Sequence, residues 1–340
     1  MSATDTSEKG LETLIMRHLT GVDGLASSVA SGLAEPAPAY GGTGWFAGNS
    51  AAYDREFAVD TAQLFTFLRA TQPDEFAKLG IGNIDDSTNM ARQKFLARLQ
   101  GEITRRGVID VLRKGIKHGP LSFELFYGTP SATNTKAVAR HASNRFSITR
   151  QLHYSRDHSK RSLDLCAFIN GLPVITFELK NNLTKQTVDD AVEQYKRDRD
   201  PRETLFAFGR CVVHFAVDDS EVRMCTALKG SKGMAKDSWF LPFNQGWNDG
   251  AGNPPNPEGL KTDYLWKRIL TPAQLTEILE NYAQIVEEVN PKTGQKKQVQ
   301  IFPRYHQLDV VRQTLAHVLE HGAGKRYLLQ HSAGSGKSNS

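Results

Sequence analysis

Apolar and polar residues follow one another along this chain in an order that predicts an α/β layer. The stretch MARQKFLARLQGEITRRGVIDVLRKG has apolar residues at steps of three and four, which predicts a long helix, and the pattern from Tyr53 up to it is also helical. Strands are predicted in RFSITRQLHY, SLDLCAFI and LPVITFELK, then a helix in TVDDAVEQYKRDRD, then two strands in RCVVHFAV and EVRMCTAL. This order predicts a mixed central sheet flanked by helices.

The patterns on either side of this layer are weaker. The Ala-, Gly-, Ser- and Pro-rich stretch from Gly24 to Tyr53 predicts a long surface loop, and residues 229–262 an irregular region. TPAQLTEILENYAQIVEE predicts a helix, NPKTGQKKQVQ a polar connector, HQLDVVRQTLAHVLEHG a helix and RYLLQ a short strand. We therefore predict a first domain at 1–228 with its sheet at about 144–228, a connecting region at 229–300, and the start of another domain at 301–340.

Composition and charge add little to this division. The 42 Lys and Arg residues against 37 Asp and Glu give a net charge of +5, which mildly favours a polyanionic partner. The cysteines Cys166, Cys211 and Cys225 lie in apolar runs, which predicts buried thiols in a reducing compartment. No secretory leader or membrane-spanning run is evident, so we expect a cytoplasmic protein that makes no use of a membrane.

Candidate chemistry first appears in the hairpin predicted by Asn170 and Gly171. In ITFELKNN, Glu178 and Lys180 share one face of a strand, and Asp164 lies on its partner strand. A two-residue turn alone would place Asp164 opposite Phe177, on the wrong face. An odd-length loop or a β-bulge between the two strands would instead place Asp164 on the face of Glu178.

If that requirement is met, the two carboxylates form a site for Mg²⁺, a hard cation that prefers oxygen ligands. The ion would polarise a phosphodiester and lower the pKa of a bound water, and Lys180 would position that water. The alternative is an ordinary solvated pair of charges, because an E-x-K triplet is expected about once by composition in a chain of this size.

A second motif lies at the end of the chain, in GSGKS after a short apolar stretch. It matches the second half of a Walker A loop, with His331 in place of the first glycine, and predicts binding of ATP and its Mg²⁺; a Gly-rich tail is the alternative. The predicted nucleotide-binding residues are Gly334, Ser335, Gly336, Lys337 and Ser338, of which Ser338 would ligate the metal. Gln307, in RYHQ, is placed to recognise adenine through its amide.

Several longer stretches resemble the amino-terminal part of the R (restriction and motor, HsdR-type) subunit of type I restriction endonucleases. They are SLDLCAFINGLPVITFELKN, DDAVEQYKRDRD, FLPFNQGWNDGAGNPPNP, DYLWKRIL and RYHQLDVV with QHSAGSGKS, which together span about Phe146 to the end. The histidine at the first Walker position is also similar to that family.

The resemblance implies a PD-(D/E)xK restriction-endonuclease-like fold followed by the start of a RecA-like, helicase-like motor domain. It implies Asp164, Glu178 and Lys180 as the catalytic set, with Asp164 and Glu178 as metal ligands, and Arg304 and Gln307 at the nucleotide. Family members often carry a Q-x-x-x-Y element on the next helix. Gln194 fits its first position, whereas Asp198 stands at the fourth and Tyr195 adjoins the glutamine.

The resemblance further implies a type I site-specific deoxyribonuclease that translocates double-stranded DNA with ATP and joins methyltransferase (M) and specificity (S) subunits. The basic run KRDRDPR would contact DNA phosphates or form a solvated helix face. Under this hypothesis the chain is the front part of a longer protein, cut just after Walker A. Two alternatives remain: a stand-alone nuclease with an inert motor remnant, and a non-catalytic module that docks the motor on the methyltransferase core.

Overall fold

The fold is seen in a computed structural model that describes residues 8–25, 42–157, 159–230, 233–248 and 250–329. Its α-helices are α1 (Glu8–Thr20), α2 (Thr61–Thr71), α3 (Pro73–Lys78), α4 (Met90–Lys114), α5 (Thr135–Ala142), α6 (Val188–Arg197), α7 (Pro272–Asn281) and α8 (Tyr305–His321). A π-helical turn at Leu265–Ile269 precedes α7.

The strands form one large sheet and four small hairpins. They are β1 (Phe46–Ala47), β2 (Tyr53–Asp54), β3 (Val59–Asp60), β4 (Ile116–His118), β5 (Leu121–Phe123), β6 (Phe146–His153), β7 (Ser162–Ile169), β8 (Leu172–Leu179), β9 (Val213–Val217), β10 (Val222–Cys225), β11 (Lys229–Gly230), β12 (Gly233–Met234), β13 (Leu241–Pro242), β14 (Gln284–Val289) and β15 (Lys296–Ile301). The large sheet has the order β1-β6-β7-β8-β9-β10-β13. The pairs β1-β6 and β8-β9 are parallel and the others antiparallel, which confirms the predicted mixed sheet.

The sheet is covered on both faces, which makes the chain a layered α/β structure. One face packs against a large core that includes α1, α2, α4 and α7, and the other packs against α6. Helix α6 forms as predicted, because Val188, Val192 and Tyr195 fall on one face and are buried. At its start, Thr187 N–H donates to the Asp190 carboxylate at 2.7 Å, one half of a capping box.

The long predicted helix is present but bent. Gly107, inside α4, has a φ of 78°, and the next amide, Val108 N–H, donates to the Gly209 carbonyl at 2.7 Å instead of continuing the helical ladder. Ile285 packs against the space where a side chain of residue 107 would lie. The kink therefore results from the non-helical Gly107, after which the Val108 amide bonds to a distant loop.

Two segments predicted as helix are strands, and one predicted strand does not form. Residues 53–60 form the β2-β3 hairpin, because the Asp54 carboxylate accepts from the amides of Glu56 and Phe57 and turns the chain. The helix from Pro272 ends at Asn281, and the β-branched stretch after it pairs with β15, so the expected polar connector is half of a hairpin. Residues 326–329 of RYLLQ have no regular structure and no strand partner among the described residues.

The segments after residue 228 also contribute to the large core. Leu265, Trp266 and Ile278 are buried there, as are Phe302 and Leu308. The loop before residue 53 contributes Trp45, whose indole N–H donates to the Leu270 carbonyl at 2.8 Å. The proposed division of the chain into domains stays a prediction, and these contacts show that its parts share one core.

The three cysteines are buried and free, as predicted. In the part of the chain that the structure describes, no helix combines the length and the apolar character needed to cross a membrane.

We expect Gly171→Ala to destabilise the fold far more than Gly119→Ala. Both glycines lie in hairpin turns at positive φ, 80° and 59°. A methyl group at residue 171 would overlap the Asp60 carbonyl and lie 2.6 Å from the Leu64 amide, whereas nothing lies within 4 Å of one at residue 119. Urea denaturation should give a loss of about 1 kcal/mol at residue 119 and about 3 kcal/mol or more at residue 171. Equal losses would contradict the close packing of the β7-β8 turn on α2.

Candidate active site

The β7-β8 hairpin contains the bulge that the carboxylate hypothesis requires. Near the Asn170-Gly171 turn, Phe168 pairs with Pro173, but Ala167 pairs with Ile175, so one residue of β8, Val174, has no partner. Beyond the bulge Leu165 pairs with Phe177. One further step along both strands places Asp164 opposite Glu178.

A hydrogen bond holds this register at the end of the paired region. The Leu179 amide donates to Oδ2 of Asp164 at 2.7 Å, so the aspartate side chain takes the place of a backbone partner. Asp164 is 7% exposed and Lys180 is 6% exposed. Phe177 and Leu179 lie in the large core, while Glu178 and Lys180 point to the other face of β8, as predicted.

Glu178 is fully buried and uses only one of its oxygens. Its Oε1 accepts from Nε of Arg199, whereas Oε2 has no hydrogen-bond partner among the described residues. Burial, reinforced by the charge of Asp164, raises the pKa of Glu178 to about 8, and Arg199 offsets part of that rise. A buried carboxylate oxygen without a donor is costly unless a cation or a proton compensates it.

Arg199 is the residue of this site that the sequence did not predict. It belongs to the basic run KRDRDPR, but it is 4% exposed, whereas Arg197 and Arg202 of the same run are exposed. Its Nη1 donates to the Tyr154 hydroxyl at 3.1 Å, and its Cζ lies 5.4 Å from the centroid of that ring. Burial lowers the pKa of Arg199, but the Glu178 carboxylate outweighs burial, so the overall shift is upward.

A second buried ion pair joins α1 to β6. Glu12 of α1 pairs with Nε of Arg150 and accepts from Gln151 Nε2 at 2.7 Å through its other oxygen. Burial and the charge of Asp164 raise the pKa of Glu12 to about 7. No sequence pattern pointed to this pair, because its partners are 138 residues apart.

The helix next to the site contributes a structural tyrosine. The Tyr195 hydroxyl lies 2.8 Å from Oγ1 of Thr176, which lies 2.7 Å from Nδ1 of His214. Tyr195 is fully buried, so it belongs to the core, and burial lowers the pKa of His214 to about 3. Gln194 is half-buried on the same helix, and its catalytic role stays a prediction.

The donor set fits a hard divalent cation. Oε2 of Glu178 is a buried carboxylate oxygen without a donor, and Asp164 lies opposite it on the neighbouring strand. These two residues would hold Mg²⁺, which in proteins keeps several waters and takes only one or two carboxylates. The described residues contain no group of three or more His, Cys, Asp or Glu side chains that could hold a metal ion, so protein ligands alone would not complete its shell.

The predicted nucleotide site falls mostly outside the described residues. Gly334, Ser335, Gly336, Lys337 and Ser338 all lie there. Gln307 is 5% exposed at the start of α8, and its Oε1 accepts from the Arg304 amide at 2.8 Å, so it caps its own helix. The assignment of Arg304 and Gln307 to nucleotide binding stays a prediction.

Comparison with known proteins matches the part of the chain that holds this site. Residues 109–233 match the family model described as type I restriction enzyme R protein N terminus. These residues are therefore similar to the N-terminal region of such an R protein. The chain is also 36% identical over 74 residues to the type I restriction enzyme HindI endonuclease subunit of Haemophilus influenzae. That alignment covers 21% of this chain and 7% of the relative, so the chain aligns with only a small part of that protein. The matched residues 109–233 include Asp164, Glu178, Lys180 and Arg199.

We expect Asp164→Asn to lower the pKa values of Glu178 and Glu12 together, each by on the order of one unit. The charge of Asp164 raises both pKa values in the native protein. Carbon-13 NMR titration of glutamate carboxyls would measure the shifts. Asp60→Asn is the matched control, since Asp60 is also buried and is not among the charges that shift the pKa of either glutamate.

The same variant should change how stability depends on pH. The folded-state pKa of Glu178, about 8, lies above its ordinary value of 4.5, so the folded protein binds the proton more tightly and its stability falls as pH rises across this range. Asp164→Asn should make the fall shallower. Unchanged glutamate pKa values would show that Asp164 is not within Coulomb range of both carboxylates.

Proposed function

We propose that this chain carries a Mg²⁺-dependent endonuclease of PD-(D/E)xK fold that cleaves double-stranded DNA as part of a type I restriction enzyme. The observation that carries the proposal is the bulge at Val174. It sets Asp164 opposite Glu178, whose Oε2 has no hydrogen-bond partner among the described residues and which lies two residues from Lys180. Paired carboxylates with a lysine on the same strand face supply what hydrolysis of a phosphodiester requires.

Each residue has a separate part in this chemistry. Asp164 and Glu178 would hold the ion, which when bound lowers the pKa of a water and balances charge on the scissile phosphate. Lys180 lies on the same face of the strand as Glu178 and would orient the attacking water and donate to a phosphate oxygen. The Leu179 amide, bonded to Oδ2 of Asp164 at 2.7 Å, fixes the direction of that carboxylate.

Restriction of DNA is supported by the family match and by charge. The relative from Haemophilus influenzae is named as an endonuclease subunit of a type I restriction enzyme. The net charge of +5 suits a polyanionic substrate. We extend the proposal to the methyltransferase and specificity subunits as partners in the cytoplasm.

We also propose that the segment from residue 301 begins a RecA-like motor that binds ATP and translocates DNA. Support comes from the sequence GSGKS and from α8, which forms where the helix before that motif was expected. Gln307 would contact adenine only if its side chain gives up the bond to the Arg304 amide.

We expect Asp164→Ala and Glu178→Ala to weaken Mn²⁺ binding by at least about 100-fold. Mn²⁺ is titrated calorimetrically into the 340-residue chain in the presence of a short duplex. Lys180→Ala should keep Mn²⁺ binding, since the lysine acts on water and phosphate rather than on the ion. Binding is a better measurement than cleavage here, because in the proposed enzyme the motor presents DNA for cutting.

The control variant removes a carboxylate that lies away from the site. Asp189 on α6 is exposed and pairs with Arg223 at 2.6 Å, so Asp189→Ala changes net charge equally without touching the site. Binding of Mn²⁺ that is no stronger in the native protein than in the Asp164 and Glu178 variants would refute the nuclease proposal.

A further inference from the structure

The buried ion pair between Glu178 and Arg199 places a permanent cation on the same carboxylate that would bind the metal. Nε of Arg199 is bonded to Oε1 of the same carboxylate whose Oε2 faces the proposed metal position. The side chains of Arg199 and Glu178 are 4% and 0% exposed, so little solvent screens the interaction. An arginine cannot give up its proton to relieve repulsion, because its pKa stays far above neutral pH.

The guanidinium is also held from its other side. Nη1 donates to the Tyr154 hydroxyl at 3.1 Å, and the Tyr154 ring faces the guanidinium carbon at 5.4 Å. The same hydroxyl donates to the Asp198 carbonyl at 3.4 Å, which ties it to the chain just before Arg199. Arg199 therefore has a fixed position and cannot swing away without leaving two partners.

The buried charges around Glu178 affect how strongly a divalent cation binds there. In the form that binds metal, with Glu178 ionised, Asp164 and Glu178 supply two negative charges, and Lys180 and Arg199 supply two positive ones, all on buried side chains. The pair of Glu12 and Arg150 is balanced in itself when Glu12 is ionised. A divalent ion at Oε2 thus enters a site that is already neutral, and it is repelled by Arg199 at short range.

We propose that Arg199 is an internal counter-ion that competes with the divalent cation for Glu178, so that metal binds tightly only when a DNA phosphate adds negative charge to the site. This inference rests on the proposed nuclease function and deepens it, because it makes the affinity for the metal depend on bound DNA. The bond to Oε1 also leaves Oε2 as the single oxygen that Glu178 offers to the ion.

The test compares Arg199→Gln with Arg199→Lys in the full 340-residue chain. Glutamine keeps a donor near Oε1 but removes the charge, and lysine keeps the charge. Without DNA, Arg199→Gln should bind Mn²⁺ about tenfold more tightly than the native protein, and Arg199→Lys about as weakly as the native protein. A short duplex should tighten Mn²⁺ binding strongly in the native protein and much less in Arg199→Gln.

Melting temperatures distinguish an arginine that competes with the metal from one that only supports the structure. Arg199→Gln should melt about 5 °C or more below the native protein without metal, and saturating Mn²⁺ should restore most of that loss. Arg199→Gln could instead melt below the native protein, bind Mn²⁺ no more tightly than the native protein and keep its low melting temperature at saturating Mn²⁺. That result would show that Arg199 only holds Glu178 in place, which overturns the inference. If Arg199→Gln does not fold, the test is the Mn²⁺ affinity of the native protein with and without the duplex. An affinity that the duplex leaves unchanged refutes competition between Arg199 and the metal.

Failure of this inference is distinguishable from failure of the nuclease proposal. If Mn²⁺ binding depends on Asp164 and Glu178 but not on the charge at residue 199, only the counter-ion role is wrong. If neither the native protein nor Arg199→Gln binds Mn²⁺, with or without the duplex, both proposals fail. Binding by Arg199→Gln alone would support the counter-ion role.

Discussion

The pairing of β7 with β8 is the constraint on which the rest of the site depends. Side chains on neighbouring strands face each other only if the two strands are in the right register, and a shift of one residue moves a side chain to the opposite face. Val174 supplies that shift between a tight turn and the acidic residues. Gly171 fixes the turn itself, since its backbone lies against Asp60 and Leu64. A packing requirement near α2 therefore determines which carboxylates meet several residues away.

The site also requires charged side chains to be buried. Glu178 and Glu12 both lie out of solvent, and each is bonded to an arginine. Such pairs contribute little net stability, but removing one partner is expensive because it leaves the other charge buried. The arginines Arg199 and Arg150 thus make it possible for carboxylates to remain beneath the surface of the sheet.

Local patterns predicted those parts of the fold that depend on neighbours in sequence. The central strands and α6 follow from alternation and helical spacing, and the Asn170-Gly171 pair limited β7 and β8 to two registers, between which only the bulge in the structure decides. The β14 strand was missed because its partner β15 lies after a turn that looked like a connector. Arg199 was missed for a similar reason: nothing in a basic run distinguishes the one member that folds inward onto a buried carboxylate.

Aromatic rings join the start of α8 to the strand beside Glu178. Phe177 stacks on Phe215 at 5.8 Å, Phe215 contacts Phe302 at 5.9 Å, and Phe243 lies 6.0 Å from both Phe302 and Tyr305. All these rings are buried, and close-packed interiors transmit strain, so a displacement of the start of α8 would reach β9 and β8 through packed side chains. The start of α8 is thus connected to the strand that carries Glu178 through the core and not only through the intervening chain.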